Sequence, residues 1–311
     1  MIAFGPVPSR RLGRSLGINN IPPKMCSYSC VYCQLGRTTN MQVERRAFYE
    51  PEQVLSAVAA KVERTLQSGE SVDYLTFVPD GEPTLDANLG AEIALLRDLR
   101  IPIAVISNSS LIWRQDVREE LAQADWVSLK VDAAREELWR QVDRPQGTLR
   151  LESILQGVLE FGRSFGGELV TETMLVEELN DGVASVTEIA GFLARLKLTR
   201  AYVSIPIRPP AESWVRPPSE DAVSRACQLI SQRVDQVEYL IGYEGNAFAF
   251  TGDVAQDLLG ITAVHPMRQD AVDAFLKRAG ADWTTVHNLI VQRRLVETRY
   301  DGQTFYVRRF R

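Results

Sequence analysis

Apolar positions in this chain follow two rhythms. Short apolar runs at 15–19, 74–78, 103–107, 126–131, 169–175 and 202–207 read as strands, and 237–243 reads as one more. Between them, apolar residues return every three or four positions at 51–68, 88–99, 149–161, 183–196 and 219–231, the period of an amphipathic helix. The first of these helices opens on Pro51 and stops before Gly69, residues suited to a first turn and to an exit. Strand and helix in regular alternation predict a parallel sheet covered by helices. Six such repeats make an α/β fold, a partial (β/α)6 barrel left open, with ligands expected at the carboxyl ends of its strands.

Near Gly260 the rhythm changes, and a boundary there divides residues 1–260 from 261–311. The second part reads as helices at 269–278 and 282–293 and a hairpin at 295–310 turning on Asp301-Gly302. Two helices and a two-stranded wing suggest a small winged-helix-like C-terminal module.

Composition sharpens this picture in two respects. A chain of 311 residues with 45% hydrophobic and 24% charged residues can bury a core, and it has no apolar run near the roughly 18 to 20 residues of a membrane span. Neither a secretory leader nor a disulfide framework is legible, so a cytoplasmic location with reduced cysteines and no membrane contact is expected. Charge is uneven. Residues 262–311 hold nine Lys or Arg against five Asp or Glu, a net +4, which leaves −9 on the rest. That asymmetry hints at an anionic partner such as nucleic acid, and equally fits a solvated basic face.

The chemistry concentrates in "KMCSYSCVYCQLGRTT", residues 24–39, where Cys26, Cys30 and Cys33 take the spacing C-x3-C-x2-C just after the first predicted strand. A structural zinc site takes four protein ligands. The fourth cysteine, Cys227, lies far off in a helical stretch and reads as a buried small hydrophobe, while His265 and His287 fall in the C-terminal segment. A [4Fe–4S] cluster held by three thiolates, with one iron open to a non-protein ligand, suits the loop better.

This loop resembles that of the radical S-adenosylmethionine (SAM) superfamily, including an aromatic residue, Tyr32, just before the last cysteine. The resemblance implies that SAM chelates the open iron. One electron, from a donor such as flavodoxin or ferredoxin, then cleaves it to methionine and a 5′-deoxyadenosyl radical that takes hydrogen from substrate. Gly81, Glu82 and Pro83 in "PDGEPTL" stand where the family carries its GGE-like motif beside the SAM amino group. Ser107 and Asn108 end the third strand and fit either a SAM contact or a helix cap. Lys130 and Asp132 are two apart on the fourth strand and so share a face; by resemblance they contact the SAM carboxylate and ribose. Glu172 on the fifth strand is expected to face the barrel interior as a contact to SAM or substrate. Arg208 suits an anionic substrate group or a solvated surface, and Arg10, Arg11 and Arg14 fit either phosphate or solvent.

Within the superfamily, "FGPVPSRRLGRSLGIN", "CSYSCVYCQLG", "DGEPTL", "LKVDA" and "IPIRPPAESW" are similar to the group related to the tRNA wyosine synthases. Those enzymes use a second iron–sulfur cluster, for which this sequence lacks the cysteines. The expected activity is therefore a radical SAM reaction on tRNA or another nucleic acid, or on a small molecule or protein side chain. An iron–sulfur sensor with a winged-helix reader is a third reading, which leaves Glu82, Lys130, Asp132 and Glu172 without a role.

Overall fold

The structure, a computed structural model, describes residues 1–242 and 245–309. Tyr243 and Phe310, at the ends of the expected last strand and hairpin, lie outside the described residues. Strand β1 (Ala3–Ser9) turns back antiparallel into β2 (Gly13–Ile18), and two short pieces, β3 (Met25–Cys26) and β4 (Asn40–Met41), pair in the loop beyond. The chain continues through α1 (Pro51–Gln67), β5 (Tyr74–Phe77), α2 (Leu89–Leu96), β6 (Ile103–Ser107), α3 (Gln115–Leu121) and β7 (Trp126–Lys130). Next come α4 (Glu136–Val142), α5 (Leu151–Ser164), β8 (Glu168–Met174), α6 (Val183–Leu193), β9 (Arg200–Ser204), α7 (Glu220–Ser231) and β10 (Val237–Leu240). One eight-stranded sheet results, ordered β1-β2-β5-β6-β7-β8-β9-β10 and parallel from β2 onward. It curls into the open half-barrel that the alternation predicts.

The strands of the parallel core are apolar because helices cover them, and their polar residues gather at the ends. Helix α1 shows how a cover helix is fixed. Glu50 and Gln53 cap it reciprocally, Pro51 opens it, Val54, Val58 and Val62 enter the core, and Gly69, at φ +79°, carries the chain away. The edge strand β1 went unread because Pro6 and Pro8 interrupt it; prolines are tolerated only where one side of a strand is unpaired.

After β10 come α8 (Val254–Val264), β11 (Met267–Arg268), α9 (Gln269–Arg278), α10 (Thr284–Val291), β12 (Leu295–Tyr300) and β13 (Gln303–Arg308). The three strands form an antiparallel sheet ordered β11-β13-β12, turning at Asp301 and Gly302, both at positive φ. Phe248, Leu258, Phe275 and Leu289 belong to a core of their own here. Gly260, where the rhythm changes, lies inside α8. Residues 257–264 of that helix are all buried, between β1 on one side and β13 and α10 on the other, so it lacks the polar face that would have marked it as a helix. A Cβ on Gly260 would sit 2.7 Å from Met1 Sδ and 3.4 Å from Phe4 Cβ of β1, which is how closely the helix approaches that strand.

This segment is joined to the barrel by specific bonds. Lys61 Nζ on α1 reaches Asp257 Oδ1 and Thr251 Oγ1, each at 2.7 Å, in a buried ion pair. Tyr300 Oη, beside the hairpin turn, donates to the Pro206 carbonyl at 3.0 Å, and Gln34 Nε2, next to Cys33, donates to the Val264 carbonyl at 2.8 Å. Among the described residues no helix is long and apolar enough to cross a membrane.

Candidate active site

The cysteine loop leaves β2 and returns over the carboxyl ends of the parallel strands. Its backbone is tied to the end of α4: Val31 N–H donates to the Val142 carbonyl at 2.9 Å, Ser29 N–H to that of Asp143 at 3.1 Å, and Gln146 N–H to that of Ser27 at 2.9 Å. Tyr28 packs edge-on against Trp139, whose Nε1 donates to the Tyr28 hydroxyl at 3.2 Å. These contacts, all made within the chain, fix the loop against α4. Cys26, Cys30 and Cys33 open together onto one chamber of about 180 Å³, with Glu82, Asn108, Lys130 and Glu172 also in its wall. Cys227 is buried in α7, as expected of a packing residue.

Burial pushes the Cys26 thiol up to about 12, that of Cys30 well up, and that of Cys33 up as well. Thiolates in this chamber therefore need positive charge. Lys24 and Lys130 supply some of it at Cys33. Among the described residues no three Cys, His, Asp or Glu side chains converge closely enough to hold a single ion. Thiols spread around a shared chamber, with a glycine at its wall, fit a multi-atom cluster with an exogenous ligand.

Gly81 is at that wall because nothing larger fits. A Cβ there would lie 1.7 Å from the Met25 carbonyl oxygen, one residue before Cys26, and the next residue's N–H, that of Glu82, donates to the same oxygen at 3.2 Å. Pro83 opens a short 3-10 turn beyond. Glu82 is 1% exposed and fully bonded: Oε1 accepts from Thr84 N–H, Thr84 Oγ1 and Ser107 Oγ at 3.1, 2.7 and 2.8 Å, and Oε2 from Asn108 N–H at 2.7 Å. Burial raises its pKa, and these bonds oppose the rise. Glu82 therefore staples the loop after β5 to the loop after β6. Asn108, so placed, donates from Nδ2 to Cys26 Sγ at 3.4 Å and to Ser27 Oγ at 3.0 Å.

Lys130 and Asp132, read as one pair, have separate partners. Lys130 Nζ binds Glu172 Oε1 at 3.0 Å and lies 5.0 Å from the centre of the Tyr32 ring. Burial works against its charge, but Glu172 and Asp132 outweigh that and hold it above the ordinary lysine value. Asp132 lies outside the chamber wall, as does Pro83; its carboxylate accepts from the Tyr32 hydroxyl and, at 2.7 Å, from Met174 N–H. Tyr32 is therefore anchored through its hydroxyl, which also reaches Asp143 Oδ1 at 3.2 Å. Glu172 sits inside the barrel as its strand position predicts. Its Oε1 also accepts from Ser204 Oγ at 2.9 Å, and its Oε2 binds Arg11 Nη1 at 2.6 Å. Burial opposes ionisation here too, yet Lys130 and Arg11 hold its pKa well below the carboxylate range.

Sequence reasoning missed several residues. Lys24 and Asp80 face the chamber; burial lowers the first and pushes the second up to about 7. Asp80 adjoins Gly81 and Glu82, so its place in that motif was a usable signal. Asp143 accepts from Cys30 Sγ at 3.4 Å, and nothing in its local sequence marks it. Arg11 was noted, but only the fold shows it inside the barrel, 5.8 Å from the ring centres of both Trp126 and Tyr202. Arg14 turns outward to Glu70 at 2.8 Å.

Residues 20–190 match the family model described as the Radical SAM superfamily. A UPF0026 protein of Methanocaldococcus jannaschii is 44% identical over 309 residues, covering 99% of this chain and 96% of that one. A UPF0026 protein of Helicobacter pylori is 31% identical, covering 67% of each. Among solved structures, a radical SAM methyltransferase from Sphaerobacter thermophilus matches with a TM-score of 0.56, covering 73% of this chain and 67% of that one. TYW1 with a lysine-pyruvate adduct bound matches with a TM-score of 0.53, covering 70% and 73%. Both are 16% identical, and the likeness is one of fold.

Proposed function

The chain belongs to the radical SAM superfamily, and from that premise we propose that it takes hydrogen from a nucleic acid, with tRNA the first candidate. It is an enzyme that binds a [4Fe–4S] cluster and SAM. When bound, these supply a one-electron cleavage of SAM that yields methionine and a carbon radical able to abstract hydrogen. The chain itself holds, orients and screens. Cys26, Cys30 and Cys33 would ligate the cluster; Asn108 donates to the Cys26 sulfur, and Glu82 keeps Asn108 in place. Lys130 and Glu172 present charge inside the chamber wall, where a zwitterionic ligand such as SAM has groups to match. A flavodoxin or ferredoxin would supply the electron.

The observation that carries the nucleic-acid reading is the position of the basic hairpin. Its turn docks on Pro206, in the segment that leaves β9 at the mouth of the barrel, and Arg293, Arg294, Arg299 and Arg309 are exposed on and beside the two strands. This helix-and-hairpin segment acts as a winged-helix-like module that holds RNA across the mouth. An assay of 5′-deoxyadenosine by reconstituted protein with SAM and dithionite, with and without bulk tRNA, tests it. Stimulation by tRNA is expected, together with binding whose salt dependence weakens when Arg293 and Arg294 are neutralised. No tRNA binding at low salt would transfer the reaction to a small molecule or a protein side chain.

A further inference from the structure

The three cysteines of the loop meet different neighbours. Cys30 Sγ donates to the Asp143 carboxyl at 3.4 Å, and at Cys33 burial is countered by the Leu35 N–H and by the charges of Lys24 and Lys130. Cys26 faces an amide instead, for Asn108 Nδ2 donates to its sulfur at 3.4 Å. We infer that Asn108, acting through Cys26, is a positioning residue that raises the reduction potential of the cluster and so eases entry of the electron. The inference rests on the radical SAM reading and adds to it a residue that governs how readily the cluster is reduced.

The direction of the amide is fixed from its other side. Asn108 Oδ1 accepts the Ser110 N–H at 2.9 Å, and a backbone N–H can only donate, so the oxygen faces Ser110 and the NH2 group faces Cys26. The same NH2 group donates to Ser27 Oγ at 3.0 Å, and Ser27 Oγ shares a hydrogen bond with Ser110 Oγ at 2.5 Å, both serines being buried. The Asn108 backbone is pinned as well, since its N–H donates to Glu82 Oε2 at 2.7 Å. A flipped amide would set its oxygen against the sulfur and its NH2 group against the Ser110 N–H, losing both bonds. Burial disfavours charge on Cys26, and the N–H groups of Tyr28 and Ser27 counter it from the backbone; Asn108 adds a donor that a substitution can remove. The Glu82 charge acts in the opposite sense, but hydrogen bonds occupy both of its oxygens. A donor fixed beside a ligating sulfur stabilises the negative charge that one more electron brings, which raises the potential.

The test is a redox titration, followed by electron paramagnetic resonance, of anaerobically reconstituted wild type, Asn108→Leu and Asn108→Ala without SAM, with iron counted per chain. Both substitutions remove the donor without adding charge, and leucine is close enough to asparagine in size to keep water from replacing it. The reduction equilibrium of each variant is expected to fall about tenfold, a midpoint potential about 59 mV lower for one electron. Ser109→Ala removes a neighbouring bond, from Ser109 Oγ to the Lys130 carbonyl at 3.0 Å, and should load iron and keep the wild-type potential. A wild-type potential in Asn108→Leu, or in Asn108→Ala should the leucine variant not fold, overturns the inference. So does failure of both to load a cluster while Ser109→Ala loads one, because Asn108 is then structural only. A wild type that reconstitutes no four-iron cluster refutes the cluster reading itself, which is a separate result.

Discussion

Replacing Gly81 with alanine drives a methyl group into the backbone of the cysteine loop. The added Cβ would stand 1.7 Å from the Met25 carbonyl oxygen and 2.7 Å from its carbon, where real contacts stay beyond 3.0 Å, so the two segments must part by at least 1.3 Å. Neither side yields cheaply. Met25 precedes Cys26, pairs with Asn40 in β3 and β4, and accepts the Glu82 N–H; on the other side Glu82 is fixed by four bonds. The shift breaks at least the Met25–Glu82 bond and strains the packing. Overpacking of this kind costs about 1–3 kcal/mol, and the lost buried bond about 1 kcal/mol more, giving roughly 2–4 kcal/mol. Because the displaced residue adjoins Cys26, a proposed cluster ligand, iron loading should suffer with stability. The assay measures denaturant midpoints of wild type and Gly81→Ala, then iron and sulfide per chain after anaerobic reconstitution. Gly166→Ala is the control, since a Cβ there meets nothing within 4 Å. A Gly81→Ala protein with wild-type midpoint and iron content would refute the close approach and the role assigned to it.

Alanine at Cys26, Cys30 or Cys33 should each abolish 5′-deoxyadenosine formation while Cys227→Ala keeps it; equal loss in all four would overturn the ligand assignment. Lys61→Met should destabilise the protein by about 3–5 kcal/mol, because it strands buried Asp257 without its cation, and unchanged unfolding would show that this contact holds nothing together. Burial first, and then neighbouring Asp86, pushes the Glu92 carboxyl up to about 9. Folding therefore favours its protonated form, so this stability is complete below about pH 4 and is lost as pH rises through about 9. Glu92→Gln removes the titration, and a midpoint series in which variant and wild type decline together toward high pH would remove the assignment.

The sequence by itself determined the half-barrel and the cysteine trio, because both are local patterns. Helical period, strand length and C-x3-C-x2-C spacing depend on neighbours in the chain. It also set the carboxyl ends of the strands as the place for the site, since parallel βαβ order admits no other. Helix α8 escaped because burial on both sides erased its polar face, and β1 because prolines hide an edge strand. Tertiary structure alone decided the pairings. Lys130 was legible as a charged residue at a strand end, but Glu172 rather than Asp132 binds it, since the curl of the sheet brings β7 beside β8 in that register. Arg11 became an interior cation only when the β1–β2 turn placed it opposite Glu172, 161 residues away. Contacts across such separations follow from how layers pack, and no window of the sequence contains both partners.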